Sequence, residues 1–223
     1  MKLEFILVTG ANGSGKTTLI ENNRAFLEKE GFRIIIPDII LERATSLTDR
    51  SAVIKEHIHA ALSRKSPLVL ETPFQFDGLV ETLAKIRGDG YSMSLYQLFV
   101  KNEDQSIARV KDRREKGGIF IAPEQVKENF NGNLQNVARY YSLFDHSYFI
   151  DASGNQKMKL VAHFEKEKLI MYQALKSPYL FNLFTESALY SKAGKKAIKM
   201  IMGDQDIAAK TLRQNRPGRR LRF

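Results

Sequence analysis

The sequence predicts an α/β fold: a mostly parallel central sheet between two helical layers, followed by a helical C-terminal extension. Three observations carry that prediction. Short apolar or β-branched runs alternate with helical periodicities over the first 155 residues, as they do where parallel strands are joined by crossover helices. The first run stops at a glycine-rich stretch, "LVTGANGSGKTTLIENN", residues 7–23. From about Gln156 onward the strand-like runs stop and helical spacing takes over.

The elements follow in order. Strands are expected at Leu3–Thr9, Arg33–Ile36, Leu68–Leu70, Ser92–Val100 and Ser147–Ile150, and helices near 16–30, 48–64, 77–88, 103–116 and 123–142; periodicities of two and of 3.6 residues separate the two kinds. "MKLEFILVTG" reads as a buried first strand and not as a signal peptide, because Glu4 interrupts a short apolar run and no small-residue cleavage site follows. Beyond 156, Phe164, Lys168, Met171, Tyr172 and Leu175 fall at helical spacing, as do Leu180, Phe181, Phe184 and Leu189, with Pro178 separating two helices. The expected organisation is a core over 1–155, a helical extension packed on it over 156–210, and a basic flexible tail over 211–223.

Composition narrows the classes. With 43% hydrophobic residues the 223-residue chain can bury a sizeable core. It has no cysteine, which excludes a disulfide framework and thiolate metal sites and fits a reducing cytoplasm. No apolar run approaches the roughly 18 residues of a membrane span, so no membrane contact is expected. Residues 1–154 balance at 20 Lys+Arg against 20 Asp+Glu, so the whole net charge of +10 falls in residues 155–223. That section admits three readings: a nucleic-acid contact through Lys/Arg and interleaved aromatics, a protein contact, or a helical cap with a solvated charged face. The helical cap is the expectation for 156–210. The tail "TLRQNRPGRRLRF", with five arginines and no acid, leaves nucleic acid as an open but not favoured partner.

The glycine-rich stretch carries the chemistry. Gly10, Ala11, Asn12, Gly13, Ser14, Gly15, Lys16 and Thr17 match G-x-x-x-x-G-K-[ST] at every fixed position, and Thr18 follows. Glycines let successive N–H groups turn inward as an anion nest, and the helix that follows adds the positive end of its dipole. Lys16 is expected to reach the β- and γ-phosphates of ATP, and the Thr17 hydroxyl to ligate Mg²⁺. The fold class sharpens accordingly to a three-layer P-loop NTPase. A transporter-type ATPase has a similar loop, but such a chain should carry an LSGGQ-like signature and a strand ending in Asp-Glu; this chain has no such signature, and its third strand ends "LVLET".

Ligands gather at the carboxyl ends of strands in an open parallel sheet. Asp38 follows the second strand in "IIIPDIILER", and Glu71 closes the third in "LVLETPF", with Thr72 beside it. One acid can take the proton of an attacking hydroxyl, and the other can hold the acceptor or a metal-bound water. The structural alternatives are a helix N-cap for Asp38 and an ordinary strand-end carboxylate for Glu71. "SIARVKDRREKGG" adds Arg109, Arg113, Arg114 and Lys116 on one helix, able to clamp phosphoryl oxygens or, alternatively, to form a solvated face with Asp112 and Glu115. Gly117-Gly118 then ends the helix and offers a hinge.

Taken together, the loop, "PD", "ET", "IARVKDRREKGG…APEQV" and "FDHSYFIDASG" resemble the zeta-toxin family of P-loop kinases over roughly residues 3–155. The resemblance implies ATP- and Mg²⁺-dependent phosphorylation of a small-molecule hydroxyl, with a UDP-amino sugar as the family's best-known acceptor and an antitoxin-like protein as a partner. It also implies Lys16 and Thr17 as the loop lysine and metal ligand, Asp38 as general base, Glu71 as the acid that holds the sugar, and Arg109 as a phosphate-facing arginine. The sequence departs from the family in three places. "GGIFIAP" lacks the usual histidine, Glu128-Asn129-Phe130 stands where an arginine pair is usual, and the closing motif is Asp151-Ala152-Ser153. Arg113, Arg114 and Lys116 are the candidates to replace the missing second arginine. Two readings stand beside the sugar kinase: phosphorylation of a nucleic-acid end or another small molecule, and a non-catalytic nucleotide-binding module with a basic tail.

Overall fold

A computed structural model describes residues 3–42, 50–74, 78–154, 157–166, 168–172, 177–187 and 221. The elements are β1 (Glu4–Gly10), α1 (Lys16–Asn22), α2 (Arg24–Lys29), β2 (Arg33–Ile35), α3 (Pro37–Glu42), α4 (Arg50–Ser63), β3 (Leu68–Glu71), α5 (Leu79–Gly88), β4 (Ser92–Phe99), α6 (Glu103–Glu115), α7 (Pro123–Tyr140), β5 (His146–Asp151), β6 (Lys159–Glu165), β7 (Lys168–Tyr172) and α8 (Pro178–Ser187). The seven strands form one sheet in the order β2-β3-β1-β4-β5-β6-β7. The first five run parallel, and β6 and β7 add antiparallel to the edge at β5. The glycine-rich loop therefore leaves β1, the middle of the five parallel strands, flanked by the ends of β3 and β4.

Alternation along β1 explains the layers. Phe5 and Leu7 point to one face, where they join Leu68, Leu70, Met93, Leu95 and Phe149 beneath α5, α7 and α8. Ile6 and Val8 point to the other, packing with Val69, Leu98, Leu19, Ile20 and Leu27 under α1 and α2. Each fully buried side chain of this size contributes about 1.5–3 kcal/mol, which holds the strand on both faces. A polar network crosses the first layer. Gln97 Nε2 donates to Asn133 Oδ1 and Tyr179 Oη, both at 2.7 Å, and Asn133 Nδ2 donates to Thr9 Oγ1 at 2.9 Å. It links α7 and α8 to the last turn of β1 before the loop.

Two expectations are corrected. The helix expected over 16–30 is two helices, because Asn23 breaks it: its Nδ2 donates to the Leu19 carbonyl at 2.8 Å and its backbone caps both segments. The described residues from 157 to 172 are not helical. Phe164 lies in β6, and Lys168, Met171 and Tyr172 lie in β7. "LVAHF", a charged turn through Lys166 at φ 50°, and "LIMY" form a hairpin that extends the sheet. The residues at helical spacing also fit this alternation, and burial against β5 and α8 decides between the two. The helix at Leu180, Phe181 and Phe184 is present as α8; Leu175 and Leu189 lie outside the described residues, as does the tail over 211–223 except Leu221. Leu221 is buried in the second cluster, and its N–H donates to Tyr96 Oη at 3.4 Å. Among the described residues no helix is long and apolar enough to cross a membrane.

Candidate active site

The loop wraps because α6 and α7 close on it from outside the sheet. Ser106 Oγ donates to the Asn12 carbonyl at 2.5 Å, and Asn129 Nδ2 donates to Asn12 Oδ1 at 2.7 Å. Gly13 has φ +71°, and a Cβ there would lie 2.9 Å from Arg109 Cβ, so this position admits only glycine. Lys16 begins α1 and is buried; its Nζ curls back to donate to the carbonyls of Gly10 at 3.0 Å and Ala11 at 3.1 Å. Burial holds its pKa below the ordinary lysine value, against the opposing pull of Glu71 and Asp38.

The two acids converge on that lysine. Pro37 opens α3 and places Asp38 in the first turn, partly buried. Glu71, the last residue of β3, is 7% exposed and accepts from Thr17 Oγ1 at 2.9 Å. Burial pushes its carboxyl above the ordinary range, the Asp38 charge adds to this, and Lys16, Thr17 and Arg113 oppose it. Thr72 is buried beside it, its N–H donating to the Val8 carbonyl at 3.2 Å. Thr17 Oγ1 and the Glu71 carboxylate, 2.9 Å apart, are oxygen donors of the kind Mg²⁺ takes. A carboxyl raised mainly by burial, and to a lesser degree by a neighbouring carboxylate, is one whose charged form a divalent cation would favour.

All of these groups face one cavity of about 720 Å³. Asn12, Gly13, Gly15, Lys16, Thr17 and Thr18 form its floor, and Asp38, Glu71 and Thr72 one wall. Arg109 and Arg113 stand opposite, and Ile119, Phe120 and Ile121 form an apolar rim. Gly10, Ala11 and Ser14 shape the loop without lining the cavity.

The arginines divide into three situations. Arg109 is tied to backbone: its guanidinium donates to the carbonyls of Gly13 at 3.4 Å and of Ser153 and Gly154, both at 3.2 Å. Arg114 is exposed, absent from the cavity lining, and lies over the Phe120 ring at 4.3 Å. Arg113 lines the cavity, and its Nε and Nη2 are buried without a hydrogen-bond partner among the described residues. A guanidinium cannot lose its proton, so its charge stays beside Glu71, with which it interacts. Sequence reasoning ranked Arg109 first and could not separate Arg113 from Arg114. It also missed Ser106 and Asn129, which hold Asn12, and Gln125, which lines the cavity, because no spacing rule turns a helix side chain toward a loop.

A glycine-rich loop of P-loop spacing leaves β1, with Glu71 ending the adjacent strand and Asp38 opening the helix after β2, and the fold is the three-layer α/β fold of P-loop type with a mostly parallel sheet. No known family profile matches the chain. It is 25% identical over 136 residues to an uncharacterized protein of Haemophilus influenzae, covering 58% of this chain and 94% of that protein. Among solved structures it is similar to a chain of the PezAT chromosomal toxin-antitoxin system of Streptococcus pneumoniae, with TM-score 0.58, 16% identity, and coverage of 91% of this chain and 88% of that one. It is also similar to a chain of AvrRxo1-ORF1:-ORF2 with ATP, with TM-score 0.57, 13% identity, and coverage of 75% and 60%. At these identities the likeness is one of fold.

Proposed function

We propose that this protein is an ATP-dependent phosphotransferase of zeta-toxin type, moving the γ-phosphate of ATP to a hydroxyl of a small molecule, with a UDP-amino sugar as the first acceptor to test. The observation that carries this reading is the meeting of Lys16, Thr17, Asp38, Glu71 and Arg113 around one cavity. A merely nucleotide-binding module has no need of two acids on the acceptor side.

In this reading Lys16 leaves the Gly10 and Ala11 carbonyls for the β- and γ-phosphates, while the loop amides hold the α/β side. Thr17 and Glu71 are the residues that would hold Mg²⁺, which when bound neutralises charge on the β- and γ-oxygens. Asp38 takes the proton from the acceptor hydroxyl as its oxygen bonds to the γ-phosphorus. The bond from that phosphorus to the β–γ bridging oxygen breaks, and ADP leaves. Glu71 and Thr72 orient the acceptor. Arg113 stabilises the transferring phosphoryl oxygens, and Arg109 braces the loop against α6 and joins the phosphates when it releases Ser153 and Gly154.

The test is transfer of labelled γ-phosphate, offered UDP-amino sugars, other small hydroxyl compounds and oligonucleotide 5′ ends. Transfer to a UDP-amino sugar, lost in Asp38→Ala, is the expected result. Tight ATP binding with transfer to nothing would favour the module, and transfer to oligonucleotide ends alone would favour nucleic-acid end phosphorylation. The PezAT structure is described as a toxin-antitoxin system and the AvrRxo1 structure as an ORF1:ORF2 complex. By that likeness we propose a protein partner that restrains the activity. Growth arrest on expression of the wild type but not of Asp38→Ala is the expected sign, and equal growth would remove the toxin role.

A further inference from the structure

Helix α6 ends in a turn that does two separate jobs with two adjacent glycines. The Gly117 N–H donates to the Arg114 carbonyl and the Gly118 N–H to the Arg113 carbonyl, both at 2.9 Å. This is the paired bonding of a Schellman cap, and Gly117 takes its left-handed position at φ +88°. Gly117 is therefore glycine for its backbone. Gly118 is not, since its φ lies outside the left-handed region. What Gly118 supplies is space: a Cβ there would lie 2.6 Å from Arg113 Cγ and 3.3 Å from Arg113 Cδ.

The aliphatic stem of Arg113 thus lies on the bare Cα of Gly118, and Arg113 is among the residues that line the cavity. The neighbouring Arg114 and Lys116 on the same turn are exposed. The buried, unpartnered atoms Nε and Nη2 form one edge of the guanidinium, the edge that takes two oxygens of a phosphoryl group side by side. We infer that Gly118 is a positioning residue that, by lacking a side chain, seats Arg113 to grip the transferring phosphoryl group, in place of the arginine that α7 lacks at Asn129. The inference rests on the phosphotransfer reading above.

The decisive variant is Gly118→Ala, measured alone and combined with Arg113→Ala. Displacing a clamp by about 1 Å costs on the order of 10²-fold in rate, so Gly118→Ala should lower kcat about that much with KM for ATP little changed. In the Arg113→Ala background the same change should lower kcat much less. The carbonyl of residue 113 is 2.9 Å from the added Cβ in either background. An equal loss in both backgrounds would therefore assign the effect to the helix end and overturn the inference, as would a wild-type rate for Gly118→Ala.

A second readout needs no turnover. In ¹⁵N-arginine protein, the Arg113 Nε–Hε signal, assigned by its loss in Arg113→Lys, should exchange slowly with water. It should shift when ADP, Mg²⁺ and aluminium fluoride are added. In Gly118→Ala the shift should vanish; an unchanged shift overturns the inference. Should that variant not fold, Arg113 Hε exchange in the wild type as fast as that of exposed Arg114 overturns it equally. A chain that transfers phosphate to nothing defeats the functional reading, while the Arg113 signal still decides the role of Gly118.

Discussion

Thr17 Oγ1 donates to Glu71 Oε2 at 2.9 Å, joining the first turn of α1 to the end of β3 across 54 residues of sequence. The hydroxyl expected to ligate Mg²⁺ and the acid expected to hold the acceptor are thereby one unit.

Thr17→Val removes that unit's oxygen while keeping its shape. We expect MgATP affinity to fall at least tenfold, with ATP affinity in EDTA unchanged. Calorimetry with and without Mg²⁺ checks this, and an equal loss in both conditions would argue that Thr17 acts on the fold and not on the metal.

Asp38→Asn should lower kcat by about 10²–10⁴-fold, the usual range for a positioned general base, with nucleotide affinity within about twofold. Single-turnover transfer to the identified acceptor is the measurement. Normal transfer by this variant would falsify the base assignment.

Arg113→Ala and Arg109→Ala should differ in kind. The first removes donors that have no partner in the described structure and should lower kcat by about 10²–10³-fold with little change in Tm. The second breaks ties to Gly13, Ser153 and Gly154, so it should lower Tm and nucleotide affinity. Identical profiles for the two would refute this division.

Glu71 gives the nucleotide-free protein a pH signature. Burial raises its carboxyl above the ordinary value of 4.5, so the folded chain binds that proton more tightly than the unfolded chain. That contribution is fully present below about pH 4.5 and is lost as pH rises through the raised value. The stability of the wild type relative to Glu71→Gln should therefore fall across this window, as read from urea unfolding at a series of pH values. A gap that is flat or that widens in favour of the wild type would contradict the desolvation argument.

Asn133→Ala should destabilise the protein by about 1–3 kcal/mol, the penalty for leaving buried polar groups unpaired, because Gln97 and Thr9 both lose a partner. It should also weaken nucleotide binding, since Thr9 directly precedes the loop. Chemical denaturation and ATP titration together check both, and an unchanged unfolding midpoint would mean that the network contributes little.

The sequence alone determined the parallel core and the phosphate loop, because both are local. Hydrophobic period, glycine placement and the Lys16-Thr17 pair act over a few residues, and each strand end fixes where an acid such as Asp38 or Glu71 must emerge. Local signals failed at the hairpin of β6 and β7, where "LVAHFEKEKLIMY" satisfies both a helical and an alternating pattern. Only the open edge of β5 decides for strands. They failed again among the arginines, which share a helix and a charge. Tertiary structure tied Arg109 to backbone carbonyls, laid Arg114 on Phe120, and put Arg113 in the cavity lining with two buried guanidinium nitrogens unpaired among the described residues. Whether a cation is satisfied depends on atoms brought from distant parts of the chain, such as Gly13, Ser153 and the end of β3. No spacing along one helix records that.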